Sequence, residues 1–184
     1  MCNFFSAIVL RNGDVLWHEA TDSHSDLVAH FQLPDNGECR HFAKVEFTPA
    51  EKDGVLQYGE PDSYIMRVDE PTCPPWFEDV RGAVETKLRA IIRSMIVADK
   101  RPLVLGGCRI LVSGCNVDTV KSARIVAMLG TSRVGTMMET SRVGTMRGTS
   151  RVDTMRGTSQ VGTMMGTSQA PKPPTKDERC SKQS

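Results

Sequence analysis

The side chains best equipped for covalent chemistry lie near the start of the chain: Cys2, His24, His41 and Glu46. If Met1 is removed, Cys2 becomes the first residue, and its thiol sits beside an α-amine of reference pKa about 8. That amine can serve as its base. A second arrangement makes Cys2 the nucleophile, His24 or His41 the base, and Asp22, Asp26 or Glu46 the orienting carboxylate. Either one defines a small Cys-dependent hydrolase or transferase. Each residue also has a plain structural account. Asp22 and Ser23 suit the cap of a short helix with a solvated His24 at its start. Glu46 suits the solvent face of a strand.

A different chemistry lies at the other end. Arg133, Arg142 and Arg151 recur every nine residues, Gln160 and Gln169 continue the series, and Arg147 and Arg156 form a second column. Stacked on a regular surface, such cations repel unless water, salt or an anionic partner intervenes. That spacing favours an acidic protein or anionic ligand as partner.

Those arginines belong to the sequence's strongest pattern. GTSRVGTMM, ETSRVGTMR, GTSRVDTMR and GTSQVGTMM follow one another from Gly130, and GTSQA ends the series before Pro171. Val134, Val143, Val152 and Val161 keep step with Met137, Met146, Met155 and Met164. Self-similarity at a fixed period marks stacked units that cannot bury an apolar face alone. Upstream, Ala123, Ile125 and Met128 repeat the Ser, Val and Met places, and Val117–Val120 reads as an earlier turn one residue shorter. Period nine does not fit a helix, and Gly, Thr, Ser and Val form helices poorly. We therefore expect a short parallel β-solenoid or β-roll with two repeats per coil. Its inward set is Ser132, Val134, Met137 and their equivalents, with a bend near Gly135-Thr136. Calcium-binding nonapeptide rolls share the period, but Asp153 is the only acid near a suitable position, so no metal is expected.

Ahead of the repeats the pattern changes. Phe4–Leu10, Asn12-Gly13 and Val15–Trp17 read as a hairpin with a type I′ turn. His24–Phe31 reads as a short helix. His41–Phe47 alternates as a strand, with Ala43, Val45 and Phe47 on one face, and Tyr64–Val68 is another strand. Trp76–Ala98 carries Val80, Val84, Leu88, Ile91, Ile92 and Met95 as an apolar stripe and predicts a long helix. The fold class is thus α+β over 1–102, a small mainly antiparallel sheet with one long helix. A β-solenoid follows over 103–170, and 171–184 is a proline-rich polar tail expected to be disordered.

Four landmarks in the first part carry a resemblance: MCNFFSAIV, then Asp22–Leu27, then Val45–Pro49, then Val68–Pro71 with Pro75–Phe77. Together they resemble an uncharacterised family of bacteriophage and prophage proteins over roughly residues 1–130. Its members carry variable short repeats at the C-terminus. The resemblance implies a phage or bacterial origin and the two-part layout, and it implies no mechanism. The hairpin after Cys2 is also similar to the start of N-terminal-nucleophile amidohydrolases, but the first part is too short for their layered sandwich and lacks their later motifs.

Charge is uneven although the net is +1: residues 1–105 carry 11 Lys/Arg against 17 Asp/Glu, and residues 106–170 carry 8 against 3. An acidic part beside a basic repeat can pack against it or dimerise head to tail. The basic excess is too small to argue for nucleic acid. Six cysteines form no CxxC pair, and no His stands at zinc spacing, so neither metal nor cofactor is expected. With no signal peptide and no apolar span, the expected setting is a reducing cytoplasm, the host's if phage-encoded. These features define an accessory interaction protein whose solenoid acts as rigid spacer, binding surface or homodimer contact, with the Cys2-dependent enzyme as the alternative.

Overall fold

The computed structural model describes residues 5–34 and 41–171. The chain divides into two compact units, Met1–Ser94 and Met95–Ser184.

The first unit is built on a four-stranded antiparallel sheet. Its strands are β1 (Ser6–Leu10), β2 (Val15–Leu16), β3 (Phe42–Thr48) and β6 (Ile65–Val68), in the order β2-β1-β3-β6. A two-stranded hairpin, β4 (Glu51–Lys52) and β5 (Val55–Leu56), lies between β3 and β6. Alternation along β3 sends Ala43, Val45 and Phe47 into the core, all fully buried. Phe42 is buried too, because the opposite face is covered at that end. There helix α1 (His24–His30) contributes Leu27 and Val28 to a cluster with Ile8 and Phe42. Ser23 caps α1, its hydroxyl accepting from Asp26 N at 3.3 Å. The expected type I′ hairpin is not what forms. Gly13 has φ +79° while Asn12 stays out of the positive region, and Gly13 N–H donates to Leu10 O at 2.8 Å. The Asn12 side chain accepts from Asp14 N instead, so a wider connection of Arg11–Asp14 joins the strands.

Helix α2 (Phe77–Met95) buries Phe77, Val84, Leu88, Ile92 and Met95. Glu85 pairs with Arg89 one turn on, at 2.9 Å. The helix stops three residues before the Ala98 expected from its stripe. Ile96–Val97 forms strand β7 and pairs in parallel with β9 (Cys108–Leu111), and the branched side chains suit that extended ladder.

The second unit is a parallel β-solenoid of two sheets. One runs β14-β12-β10-β8 and the other β15-β13-β11-β9-β7. The strands are β8 (Lys100–Leu105), β10 (Asn116–Lys121), β11 (Arg124–Met128), β12 (Arg133–Met138), β13 (Arg142–Met146), β14 (Arg151–Met155) and β15 (Gln160–Met164). Consecutive strands alternate between the sheets. Register is set by like residues: Val134 stands opposite Val152 and Met137 opposite Met155 in one sheet, Val143 opposite Val161 and Met146 opposite Met164 in the other. The earlier coil is one residue shorter, Asn116 facing Arg133.

Val117, Val120, Ile125, Met128, Val134, Met137, Val143 and Met146 join in one core between the sheets, none more than 2% exposed. Full burial of each such side chain is worth about 1.5–3 kcal/mol, so the shared interior stabilises coils that have no interior singly. Ser132, Ser141, Ser150 and Ser159 are buried at the corners. Ser141 Oγ donates to Val120 O at 3.2 Å and also approaches Met138 O, at 2.6 Å. The step of three between Val and Met is absorbed at Gly-Thr. A Cβ added to Gly144 would lie 2.7 Å from Val126 O of the preceding coil, so the rungs approach there at backbone contact. Among the described residues, no helix is long and apolar enough to cross a membrane.

Candidate functional site

His24 is the most constrained of the chemistry-bearing residues. It is 5% exposed, which corrects the expectation of a solvated side chain. Its Nε2 lies 3.0 Å from Val45 O and its Nδ1 lies 3.0 Å from Asp69 Oδ2. A carbonyl oxygen can only accept, so Nε2 carries a hydrogen. The ring thus ties α1 to β3 and to the residue after β6. The carboxylate that reaches His24 Nδ1 is Asp69, and Asp26 accepts from the Thr21 hydroxyl at 2.9 Å. No local spacing links Asp69 to His24. The signal available was only that Asp69-Glu70 closes a strand next to β3, where Glu70 Oε1 also accepts from Lys44 N at 3.3 Å.

Glu46 is half-buried on β3, directly opposite Ser6 on β1 and Arg67 on β6. The carboxylate therefore has a cation as its cross-strand neighbour. His41 is exposed before β3. Cys2 lies outside the described residues. An open groove of about 480 Å³ lies between β2 and α2, lined by Asp14, Val15, Leu16, Lys87, Ala90 and Ile91. Lys87 donates there to Gly13 O at 2.8 Å and pairs with Asp14 at 3.3 Å. No Cys, Ser, Thr or His lines the groove. Among the described residues, no group of three or more His, Cys, Asp or Glu could hold a metal ion.

The solenoid arginines separate into two sets. Arg133 and Arg151 are partners in register on one sheet, while Arg142 stands on the other, opposite Arg124. Arg147 and Arg156 do not share a column, which corrects the sequence expectation. Arg147 N–H donates to Met128 O and Arg156 N–H to Met137 O, placing them on opposite sheets. Units nine residues apart alternate sheets, so only positions 18 apart can stack. Arg156 is exposed; Arg147 is half-buried, its Nε without a hydrogen-bond partner among the described residues.

The expected repulsion between Arg133 and Arg151 is met within the chain. Asp153 takes a place that Gly occupies in the neighbouring units. Its carboxylate lies 2.6 Å from Arg133 Nη2 and 2.7 Å from Arg151 Nε. Arg133 Nε also donates to Asp153 Oδ2 at 2.8 Å, whereas the Arg151 contact is an ion pair without hydrogen-bond alignment. An external anion is not required on this face. At a corner, Glu139 accepts from the Ser122 hydroxyl and pairs with Lys121 at 3.0 Å. These contacts, the hydroxyl first, hold its carboxyl below the usual value.

The last rung differs from those before it. Val161 is only partly buried, and Met164 and Met165 are 49% and 46% exposed, whereas Met137 and Met146 are fully buried. Strand β15 pairs with β13 on one side, and among the described residues no strand follows it in its sheet. The other sheet continues by one parallel bridge, Gln169 opposite Arg151, with Val152 N–H donating to Gln169 O at 2.9 Å. These features define a parallel two-sheet β-solenoid whose final edge is open among the described residues. No family model, curated protein or solved structure matches the chain.

Proposed function

We propose that the chain is an interaction protein whose solenoid is a rigid arm presenting a binding surface at its last rung. The observation that carries this reading is the contrast within one methionine series, buried at Met137 and Met146 and half-exposed at Met164. An apolar side chain left open at a strand edge marks a place for another surface to cover. A phage-type accessory protein acting in a reducing cytoplasm is the setting we favour. The resemblance of residues 1–130 supports it, and so do the free thiols of Cys73 and Cys115.

A Cys2-dependent hydrolase is the competing reading, and the His24–Asp69 pair is its best support. Against it, Nε2, which would have to act as base, is engaged by Val45 O. The interaction reading is tested by methionine oxidation of the dilute chain, followed by peptide mass analysis. Met164 and Met165 should oxidise quickly while Met137 and Met146 stay protected. If Met164 reacts as slowly as Met137, the last rung is covered by its own chain and the reading fails.

A further inference from the structure

We propose that the occupant of this last rung is a second copy of the chain, the two β15 edges pairing antiparallel across a two-fold axis. This rests on the interaction reading above and names its partner.

Unmet backbone groups at the edge call for a strand. In β14, Val152 N–H is taken by Gln169 O of the rung that follows. Val161 holds the equivalent place in β15, in a sheet with no following rung among the described residues. A peptide N–H and C=O row at an edge is a template for another strand.

The charge of the strands changes at the same place. Every strand from β11 to β14 begins with arginine: Arg124, Arg133, Arg142 and Arg151. At β15 the same place is Gln160, at the next it is Gln169, and β15 as a whole, Gln-Val-Gly-Thr-Met, is uncharged. Charged side chains on an edge normally block strand addition. Here the charge is dropped at the strand whose edge is open. The neutral edge suits its own copy, because a two-fold contact sets the same patch on both sides and any charge would meet an uncompensated, desolvating surface. An acidic partner, by contrast, would be better met by a retained arginine.

One edge can meet itself only by a two-fold rotation, which makes the strands antiparallel and closes the assembly at two copies. Val161, Met164 and Met165 would then lose their remaining exposure.

Light scattering of the intact chain across a dilution series, with methionine oxidation at each concentration, tests this. The expected result is twice the monomer mass, falling to one on dilution, with Met164 and Met165 protected only in the dimer. Gln160→Arg restores the residue of the preceding units and so leaves the fold intact. It should raise the dissociation constant roughly tenfold or more by placing a charge in the contact. Met164→Glu should do the same, with an unchanged β-type circular dichroism spectrum for both. A monomer at all concentrations with reactive Met164 overturns the second copy and leaves the interaction reading in place for another partner. A monomer with protected Met164 overturns both. Mass that climbs beyond two copies overturns the two-fold arrangement.

Discussion

The carboxylate of Asp153 reaches back one coil to Arg133, at 2.6 Å from Nη2, while also touching Arg151 beside it. One substitution in a repeated unit thereby converts a pair of stacked like charges into a three-membered network. Both arginine side chains are more than half exposed, at 55% and 56%, so the network is worth little in free energy; exposed pairs contribute about 0.2–1 kcal/mol. Its larger effect is on what the face attracts.

Asp153→Asn should therefore lower the unfolding free energy measured in urea slightly, by about 0.5–1 kcal/mol at low salt, and the difference should vanish in high salt. The same variant should be retained more strongly on a heparin or phosphocellulose column, because Arg133 and Arg151 are left uncompensated. Equal retention of variant and wild type would show that this face has no latent anion site.

The corner glycines are set by the coil as much as by the turn. Gly148 has φ +73°, and a Cβ there would come within 2.9 Å of Gly130 O in the coil below. Gly148→Ala meets both a left-handed backbone and a rigid carbonyl, so it should destabilise by about 1–2 kcal/mol or more. Glu139 occupies the matching corner position in its own unit with φ +58°. Its ties to Ser122 and Lys121 offset that strain in part. Chemical denaturation of the two variants Gly148→Ala and Glu139→Gly measures this, and a smaller loss for Gly148→Ala than for Glu139→Gly would contradict it.

Cys115 lies 1% exposed in the solenoid core, and burial pushes its thiol from 9.0 up to about 11. It should resist thiol reagents at neutral pH in the folded chain and react on unfolding, unlike the half-buried Cys73. Because the folded value lies above the unfolded one, the stability tied to the protonated thiol is full below pH 9.0 and is lost as pH rises through about 11. Cys115→Ala should flatten that alkaline decline. Thermal melts across this range, wild type against variant, give the comparison; parallel curves would remove Cys115 as the cause.

Much of the solenoid was legible because its signal is local and repeated. Ala123, Ile125 and Met128 fell into the Ser, Val and Met places although their identities had drifted, since phase is what burial selects. One coil's worth of spacing, two nine-residue units, places Arg133 against Arg151. The same rule separates Arg147 from Arg156, which the linear spacing alone had joined. The end of α2 was illegible for a different reason. Ile96 and Val97 continue an apolar stripe in sequence, and only the strand beside them makes them extended. His24 was misjudged because its partners, Val45 and Asp69, come from strands distant in the chain; nothing in Asp-Ser-His-Ser-Asp signals a buried imidazole. Asp153 stands in sequence as a lone acid with no metal expected at it, and in three dimensions it is a counterion to Arg133 and Arg151.

Alternation of successive strands between two sheets gives the molecule a parity. Lengthening the series by a single nine-residue unit would carry the growing tip halfway around and hand the terminal edge to the opposite sheet. Adding two would lift the tip by one full storey and return the same sheet to the end. A tally of units that changes in twos keeps the tip's docking direction, and one that changes by an odd number reverses it.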